Sequence, residues 1–152
     1  MAVIQTKDLR NICFLGHGGS GKTSLAEAML YMNKATDRLG STGAGNTVCD
    51  YDPEEIKRKV SISAAIAPIE CDNIKINLID TPGFLEFVGE VLTGLRVAGS
   101  AVITVDAKSG IQVGTELAWE NTSAAGSPRA FFVNKCDDPE ANFQKVLSSL
   151  IE

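Results

Sequence analysis

A glycine-rich segment near the start of the chain has the residue types and spacing to bind phosphate. It follows the apolar run at residues 12–15 and fits the pattern GxxxxGK followed by threonine. Backbone N–H groups of such a turn, together with the positive end of the helix that follows, favour an anion in one small volume. We expect this loop to bind a nucleoside triphosphate through Gly16, His17, Gly18, Gly19, Ser20, Gly21, Lys22, Thr23 and Ser24.

We expect different side chains of this loop to bind the phosphates and the metal. Lys22 would contact the β- and γ-phosphates as a point charge, and the Thr23 hydroxyl would be a ligand of the accompanying Mg²⁺. The competing interpretation is a merely glycine-rich connection, but an apolar strand before it and a helical pattern after it favour the phosphate loop. His17 is the only histidine of the chain. A zinc site needs several ligands, so we expect His17 to have a structural or supporting role.

A second cluster, Asp80 to Gly83 with the sequence DTPG, closes the apolar run at residues 74–80. We expect Asp80 to hold Mg²⁺ through water, opposite Thr23, and the amide of Gly83 to meet the γ-phosphate. The alternative is an Asx-Pro turn in which the glycine supplies a positive φ.

A third cluster, Asn134 to Asp137 with the sequence NKCD, follows the apolar run at residues 131–133. The carboxylate of Asp137 could accept two hydrogen bonds, from N1–H and the exocyclic amine of guanine, whereas adenine lacks both donors in those places. Lys135 would pack its aliphatic stem over the purine, and Asn134 would tie this loop to the phosphate loop. The four-residue match is weak alone, but after the other two clusters it predicts a guanine nucleotide.

Composition limits the class of protein. The chain has 152 residues, with 44% hydrophobic and 22% charged, which is enough for one domain with its own core. A net charge of -5 gives no electrostatic reason for direct nucleic-acid binding. No apolar run is long enough for a membrane span or a leader peptide, so we expect a cytoplasmic location. The four cysteines lack CxxC spacing and are expected to be reduced, two or more of them buried.

Apolar periodicity predicts strands that alternate with helices, and therefore an α/β fold with a mostly parallel sheet covered on both faces. The predicted strands cover residues 11–15, 60–69, 74–80, 101–105 and 130–133, with 60–69 and 74–80 forming an antiparallel hairpin. The predicted helices cover 22–31, the stripe Phe84, Val88, Val91, Leu95 and Ala98, then 110–125 with Val113, Leu117 and Ala118 inward, and a last helix from near Asp138 and Pro139. Residues 34–47 are expected to be an irregular surface connection.

With GHGGSGKT, DTPG and NKCD in this order, the chain resembles the translational GTPases, and most of all elongation factor G and its variant paralogues. The resemblance runs from about residue 11 to 137 and includes DYDPEEIKRKVSIS at 50–63, FVGEV at 87–91 and GIQVGTE at 110–116. It implies a P-loop NTPase three-layer sandwich, GTP/GDP and Mg²⁺ as cofactors, hydrolysis of GTP aided by Lys22 and Gly83, and the ribosome as partner of the full-length protein. Ser61 stands where the family's switch threonine binds Mg²⁺.

The chain departs from the family pattern at functional positions. Phe84 stands where the family usually has the histidine that orients the attacking water, and phenylalanine cannot hydrogen-bond to water. One interpretation is that Phe84 slows hydrolysis, and the other is that it is a buried apolar staple for the second switch. These two interpretations are compatible. Gly19 replaces a common aspartate, and Lys59 replaces a switch glycine.

The family's serine-alanine guanine loop and its sixth strand do not follow residue 137. We therefore expect residues 1–152 to be an amino-terminal fragment containing a GTP-binding domain that is incomplete at its C-terminal end, truncated before the last strand. The edge strand at residues 130–133 should be exposed and prone to self-association. Affinity for GDP should also be weakened.

Three functions compete at this stage. The first is a GTP-binding and GTP-hydrolysing switch module of a ribosome-associated elongation factor, in which GTP orders residues 34–63 and 81–90. The second is a nucleotide-gated binding module with little catalysis, which Phe84 favours. The third, an ATP-dependent kinase, lacks a visible substrate or lid segment and does not account for NKCD. Translocation, ribosome recycling and drug protection remain open as roles of the full-length protein.

Overall fold

Five strands form one sheet in the order β2-β3-β1-β4-β5. The computed structural model describes residues 4–152. β1 pairs in parallel with β3 and β4, β4 pairs in parallel with β5, and only the β2–β3 pair is antiparallel. This arrangement confirms the predicted mostly parallel sheet with one antiparallel strand. The strands are β1 Leu9–Leu15, β2 Ala65–Cys71, β3 Ile74–Asp80, β4 Ser100–Asp106 and β5 Arg129–Asn134.

Helices cover both faces of this sheet. Successive side chains of a strand point to opposite faces of the sheet. In β1, Cys13 belongs to a core cluster with Leu95 and Ile103, whereas Phe14 belongs to a cluster with Leu30 and Leu78 on the other face. The molecule is therefore a three-layer α/β sandwich with a hydrophobic core on each face. The α-helices are α1 Lys22–Met32, α2 Pro53–Arg58, α3 Val88–Val97, α4 Val113–Ala124 and α5 Phe143–Ile151, and 3₁₀ turns lie at Thr6–Asp8 and Leu85–Phe87.

A tight turn at Asp72 and Asn73 joins β2 to β3. Both residues have positive φ values, 49° and 65°. A two-residue turn with this backbone matches the right-handed twist of the strands that it joins. The predicted hairpin is thus confirmed, although β2 begins at Ala65 and residues 60–64 are irregular. Pro68 lies within β2, which is an outer strand of the sheet.

Several element boundaries differ from the prediction. Phe84 lies outside α3 and is 46% exposed, so the expected buried staple is wrong. The last helix does not begin near Asp138 and Pro139 but at Phe143, because the side chain of Asn142 caps it by accepting the Lys145 N–H at 2.9 Å. Val113, predicted to face inward, is exposed, whereas Ala118 is buried and Leu117 is half-buried.

Three further fold predictions agree with the structure, whereas Val88 of the predicted helical stripe is exposed and Ala98 lies just beyond the end of α3. The segment at residues 34–47 contains no helix or strand, and β5 lies at one end of the sheet, so its outer side is open within residues 4–152. Cys13 and Cys49 are buried free thiols, and Cys71 and Cys136 are exposed free thiols. Across the described part of the chain, no helix combines the length and the apolar character needed to cross a membrane.

Candidate functional site

The phosphate loop connects the end of β1 to the start of α1 and needs glycine at two close approaches. Gly16 has a φ of 132°, and a Cβ on it would overlap the carbonyl oxygen of Thr104 on β4. Gly21 has a φ of 96°, and a Cβ there would overlap the side-chain amide of Asn134 at the end of β5. The loop therefore packs against the ends of the neighbouring strands, which only residues without a side chain permit.

Lys22, the first residue of α1, extends its side chain back under this loop. Its ammonium group donates hydrogen bonds to the carbonyl oxygens of Gly16 and His17, both at 3.0 Å, and the residue is 5% exposed. Burial lowers the pKa of Lys22 to about 8, although the carboxylates of Asp80 and Asp50 oppose this shift. A bound anion would favour the charged form of Lys22 and raise its pKa.

Hydroxyl and carboxylate groups meet beside Lys22. The Thr23 hydroxyl donates to Oδ2 of Asp80 at 2.6 Å, and the Ser61 Oγ lies 3.1 Å from the Thr23 Oγ1. The other oxygen of Asp80, Oδ1, is buried and has no hydrogen-bond partner within residues 4–152. An orphaned carboxylate oxygen with two adjacent hydroxyls fits Mg²⁺, which prefers oxygen ligands and uses few protein carboxylates. The described residues contain no cluster of three or more His, Cys, Asp or Glu that could form an all-protein metal cage.

Replacing Asp80 with asparagine is expected to stabilise the ligand-free protein by about 4 kcal/mol at pH 8. Burial raises the pKa of Asp80 from 3.8 to about 7 in the folded state, so the ionised carboxylate opposes folding above that pH. The contribution of Asp80 to stability should fall as the pH rises between these two values, and the advantage of Asp80→Asn should vanish near pH 4. The side-chain carbonyl of the introduced asparagine can still accept the Thr23 hydroxyl.

Urea denaturation between pH 4 and pH 8 without Mg²⁺ or nucleotide measures this effect. Asp137→Asn is the matched control, because Asp137 is exposed and its replacement should change stability little at any pH. A stability difference for Asp80→Asn that does not vary with pH would contradict the prediction.

The turn after β3 brings Gly83 and Phe84 to the phosphate loop. The Thr81 hydroxyl anchors this turn by donating to the carbonyl oxygen of Phe14 at 2.6 Å. A Cβ on Gly83 would lie 2.6 Å from the amide nitrogen of Gly18, so the two backbones are in close contact. The Phe84 ring packs against Gly18 and lines the phosphate cavity on one side and an apolar groove on the other.

The residues of the NKCD cluster lie at different distances from this loop. The Asn134 amide donates to the carbonyl oxygen of Ser20 at 3.0 Å, which is the tie predicted from sequence. Lys135 lines the same cavity, and its ammonium pairs with Asp106 at 2.8 Å, a contact that lowers the pKa of Asp106 together with backbone N–H groups and against its burial. Asp137 is exposed and is not among the residues that line the cavity.

Most predicted residues of the phosphate loop, together with Gly83, line one cavity of about 280 Å³, whereas Gly16, His17, Ser20 and Asp80 do not line it. β1, β3 and β5 are oriented alike, so their carboxyl ends and the three clusters meet at one edge of the sheet. The Nδ1 of His17 accepts the Gly114 N–H at 3.3 Å, in agreement with a supporting role. The cavity is lined by Gly18, Gly19, Gly21, Lys22, Thr23, Ser24, Thr42, Asp50, Lys59, Val60, Ser61, Gly83, Phe84 and Lys135.

Three glutamates that sequence reasoning missed, of which Glu27 and Glu55 are buried and Glu90 is half-buried, hydrogen-bond to backbone N–H groups of the segment at residues 47–64. Glu27 of α1 accepts the N–H of Val48 at 2.6 Å, and Glu55 of α2 accepts the N–H of Ile62 at 2.8 Å. Glu90 of α3 accepts the N–H of Ala64 at 2.7 Å. The available signal for Glu27 was its position on the apolar face of α1, between Ala26 and Leu30, where a carboxylate requires partners.

Asp50 is another buried carboxylate of this segment, and it lines the cavity. Burial raises its pKa, a hydrogen bond from Ser61 opposes the shift, and Glu55 adds to it. The sequence singled it out only as a match to the family's switch segment. The structure adds that its carboxyl group lies near Lys22 and Ser61.

The fold and the site together define a P-loop nucleotide-binding domain. Residues 7–152 match the family of the elongation factor Tu GTP-binding domain, and the chain belongs to this family.

Curated relatives include translation factors of this kind. An elongation factor G-like protein of Mycobacterium tuberculosis is 41% identical over 141 residues, which is 93% of this chain and 20% of the relative. A mitochondrial ribosome-releasing factor 2 of Candida albicans is 39% identical over 143 residues, or 94% of this chain and 18% of the relative. The chain thus spans about a fifth of the length of the curated relatives that it matches.

A solved structure agrees closely with the fold. A crystal structure of a Thermus thermophilus protein superposes with a TM-score of 0.90 at 38% identity, covering 93% of this chain and 21% of that one. The chain is therefore an elongation factor G-like GTP-binding domain, and the family to which it belongs binds guanine nucleotide and usually Mg²⁺.

Proposed function

We propose that this chain binds GTP and GDP with Mg²⁺ and acts as the GTP-hydrolysing switch module of a ribosome-associated, elongation factor G-like protein. One arrangement carries this proposal: Lys22, Thr23 and Gly83 line one cavity, and buried Asp80 lies behind Thr23 and accepts its hydroxyl. Lys22 and the Gly83 amide bind the terminal phosphates, and Thr23, Ser61 and Asp80 hold Mg²⁺. Asn134, Lys135 and Asp137 bind the base, with Asn134 fixing their loop to the phosphate loop.

Hydrolysis in this proposal rests on positioning and charge. Water attacks the γ-phosphate in line with the leaving oxygen, while Lys22 and backbone amides stabilise the charge that develops on the phosphate oxygens. Mg²⁺, when bound, would neutralise charge on the β- and γ-phosphates. Phe84 lies where water would approach but offers no hydrogen bond, so intrinsic hydrolysis should be slow.

The switch consists of the segments at residues 34–63 and 81–90. Ser61 and Gly83 link them to the metal and the γ-phosphate, and Glu27, Glu55 and Glu90 hold residues 47–64 in place through backbone N–H groups. Loss of the γ-phosphate would break the links through Ser61 and Gly83 and so release both segments. The ribosome would sense this change in the full-length protein, which we assign to the cytoplasm.

Guanine selectivity is the direct test of this function. The protein should bind GDP and GTP in the presence of Mg²⁺, and ADP should bind about 10²-fold more weakly because it lacks the donors that Asp137 accepts. Asp137→Ala should remove most of this preference, whereas Asp138→Ala, one residue further, should keep it. Titration calorimetry measures both. Equal affinity for ADP and GDP in the wild type would contradict the assignment of the base loop.

A binding module with little catalysis is the second candidate, and Phe84 is the observation that favours it. Phosphate release from GTP by the full-length protein in the presence of ribosomes separates the two candidates. Turnover that ribosomes stimulate supports the hydrolysing switch, and its absence with intact GTP binding supports the binding module.

A further inference from the structure

We propose that Lys59 is a second cation of the phosphate site and binds the terminal phosphate of GTP. This inference rests on the proposed guanine-nucleotide function and adds a residue to that site. Lys59 lines the cavity together with Lys22 and Ser61, but it belongs to the segment at residues 47–64 rather than to the phosphate loop. Its side chain would therefore connect nucleotide and switch segment directly.

The backbone of Lys59 has a left-handed conformation that is more favourable for glycine than for lysine. It is the C-cap of α2, with a φ of 57°, and its N–H donates to the carbonyl oxygen of Glu55. Glycine adopts this left-handed conformation without the steric cost that a Cβ brings. A lysine at such a cap, beside a polar cavity, points to a use of its side chain.

The charges around Lys59 leave its ammonium available. Its neighbours Lys57 and Arg58 both pair with Glu54, at 3.9 Å and 3.1 Å, on the exposed side of α2. Lys59 forms no ion pair anywhere in residues 4–152. Gly19, in the phosphate loop that also lines the cavity, presents no side chain, and nothing lies within 4 Å of the place where its Cβ would be. The cavity therefore has room for an anion between them.

The groups near Lys59 indicate that its ammonium would contact the γ-phosphate rather than another part of the nucleotide. Ser61, two residues further, lies 3.1 Å from Thr23, at the proposed metal site, and the Lys22 ammonium lies against Gly83. These groups surround the end of the triphosphate rather than the base or sugar. Because GDP lacks the phosphate at this end, a contact from Lys59 would strengthen GTP binding and leave GDP binding nearly unchanged.

Affinities for GDP and for a non-hydrolysable GTP analogue, measured at fixed Mg²⁺ and salt, test this inference. Lys59→Met should weaken binding of the GTP analogue about tenfold and binding of GDP less than twofold. Lys59→Arg should retain wild-type affinities. Lys57→Met is the matched control, because it removes the same charge from the exposed side of α2 and should change neither affinity.

Lys59→Gly separates charge from backbone strain. It should raise the thermal unfolding temperature, because glycine relieves the left-handed conformation, while it weakens binding of the GTP analogue as Lys59→Met does. Unchanged affinity for the analogue in both variants, or equal weakening of both nucleotides, would overturn the inference while the proposed function stands. A wild-type protein that binds neither guanine nucleotide would overturn both.

Discussion

Replacing Lys22 with methionine is expected to weaken binding of GDP and GTP by about 10³-fold while the chain remains folded. The ammonium lies under the phosphate loop, and its bonds to the carbonyl oxygens of Gly16 and His17 hold it 3.0 Å from each. A phosphate oxygen arriving there gains a charge-assisted hydrogen bond in a site that is shielded from water. Methionine has similar length, so it fills the space without supplying the charge.

Titration calorimetry with GDP and Mg²⁺ measures this loss, and circular dichroism checks the fold. Lys145→Met is the control, because Lys145 is exposed on α5 and its replacement should leave the affinity unchanged. Since the pKa of Lys22 is about 8 without ligand, nucleotide binding by the wild type should take up protons at pH 8 and above. Near-normal affinity of a folded Lys22→Met would remove the phosphate loop from the proposed site.

Replacing Phe84 with histidine is expected to raise the rate of GTP hydrolysis by about 10²- to 10⁴-fold. Phe84 packs against Gly18 at the cavity and is 46% exposed, so an imidazole at this position fits without burying a polar group. The imidazole could hydrogen-bond to the attacking water, which the benzyl ring cannot do. The effect should appear in the rate and leave the affinity for GTP within a few-fold of the wild-type value.

Single-turnover phosphate release measures this rate, for the chain alone and for the full-length protein with ribosomes. Phe84→Leu is the control: it keeps an apolar side chain on Gly18 and should hydrolyse GTP at close to the wild-type rate. If Phe84→His is no faster than Phe84→Leu in either condition, the water is not positioned from residue 84, and another group must limit hydrolysis.

The parts of the site that sequence could predict are those set by short, local rules. Gly16 and Gly21 mark a turn with positive φ after an apolar strand, and Asp80 and Asn134 each end a strand of the same orientation. Parallel strands place such residues at one edge of the sheet, which is why Asn134 could be predicted to contact the phosphate loop across 114 positions of sequence.

Contacts that depend on tertiary packing could not be predicted in this way. The helical spacing of Phe84 with Val88 continues a pattern that the chain itself interrupts, because the 3₁₀ turn at Leu85–Phe87 leaves Phe84 at the cavity. The start of α5 depends on the side chain of Asn142, a stronger cap here than the Asp138 and Pro139 pair. Glu55 forms a local capping box with Asp52, but its bonds to the N–H groups of Ile62 and Ser63 depend on how residues 60–64 fold around it.

The two outer strands of the sheet, β2 and β5, differ in whether a further strand can pair along them, because β2 contains Pro68. Proline has no N–H to offer, so an incoming chain cannot form a continuous ladder along β2. The margin at β5 carries no such interruption. Strand addition along β2 would therefore stop at Pro68, which protects this outer strand against growth into fibrils.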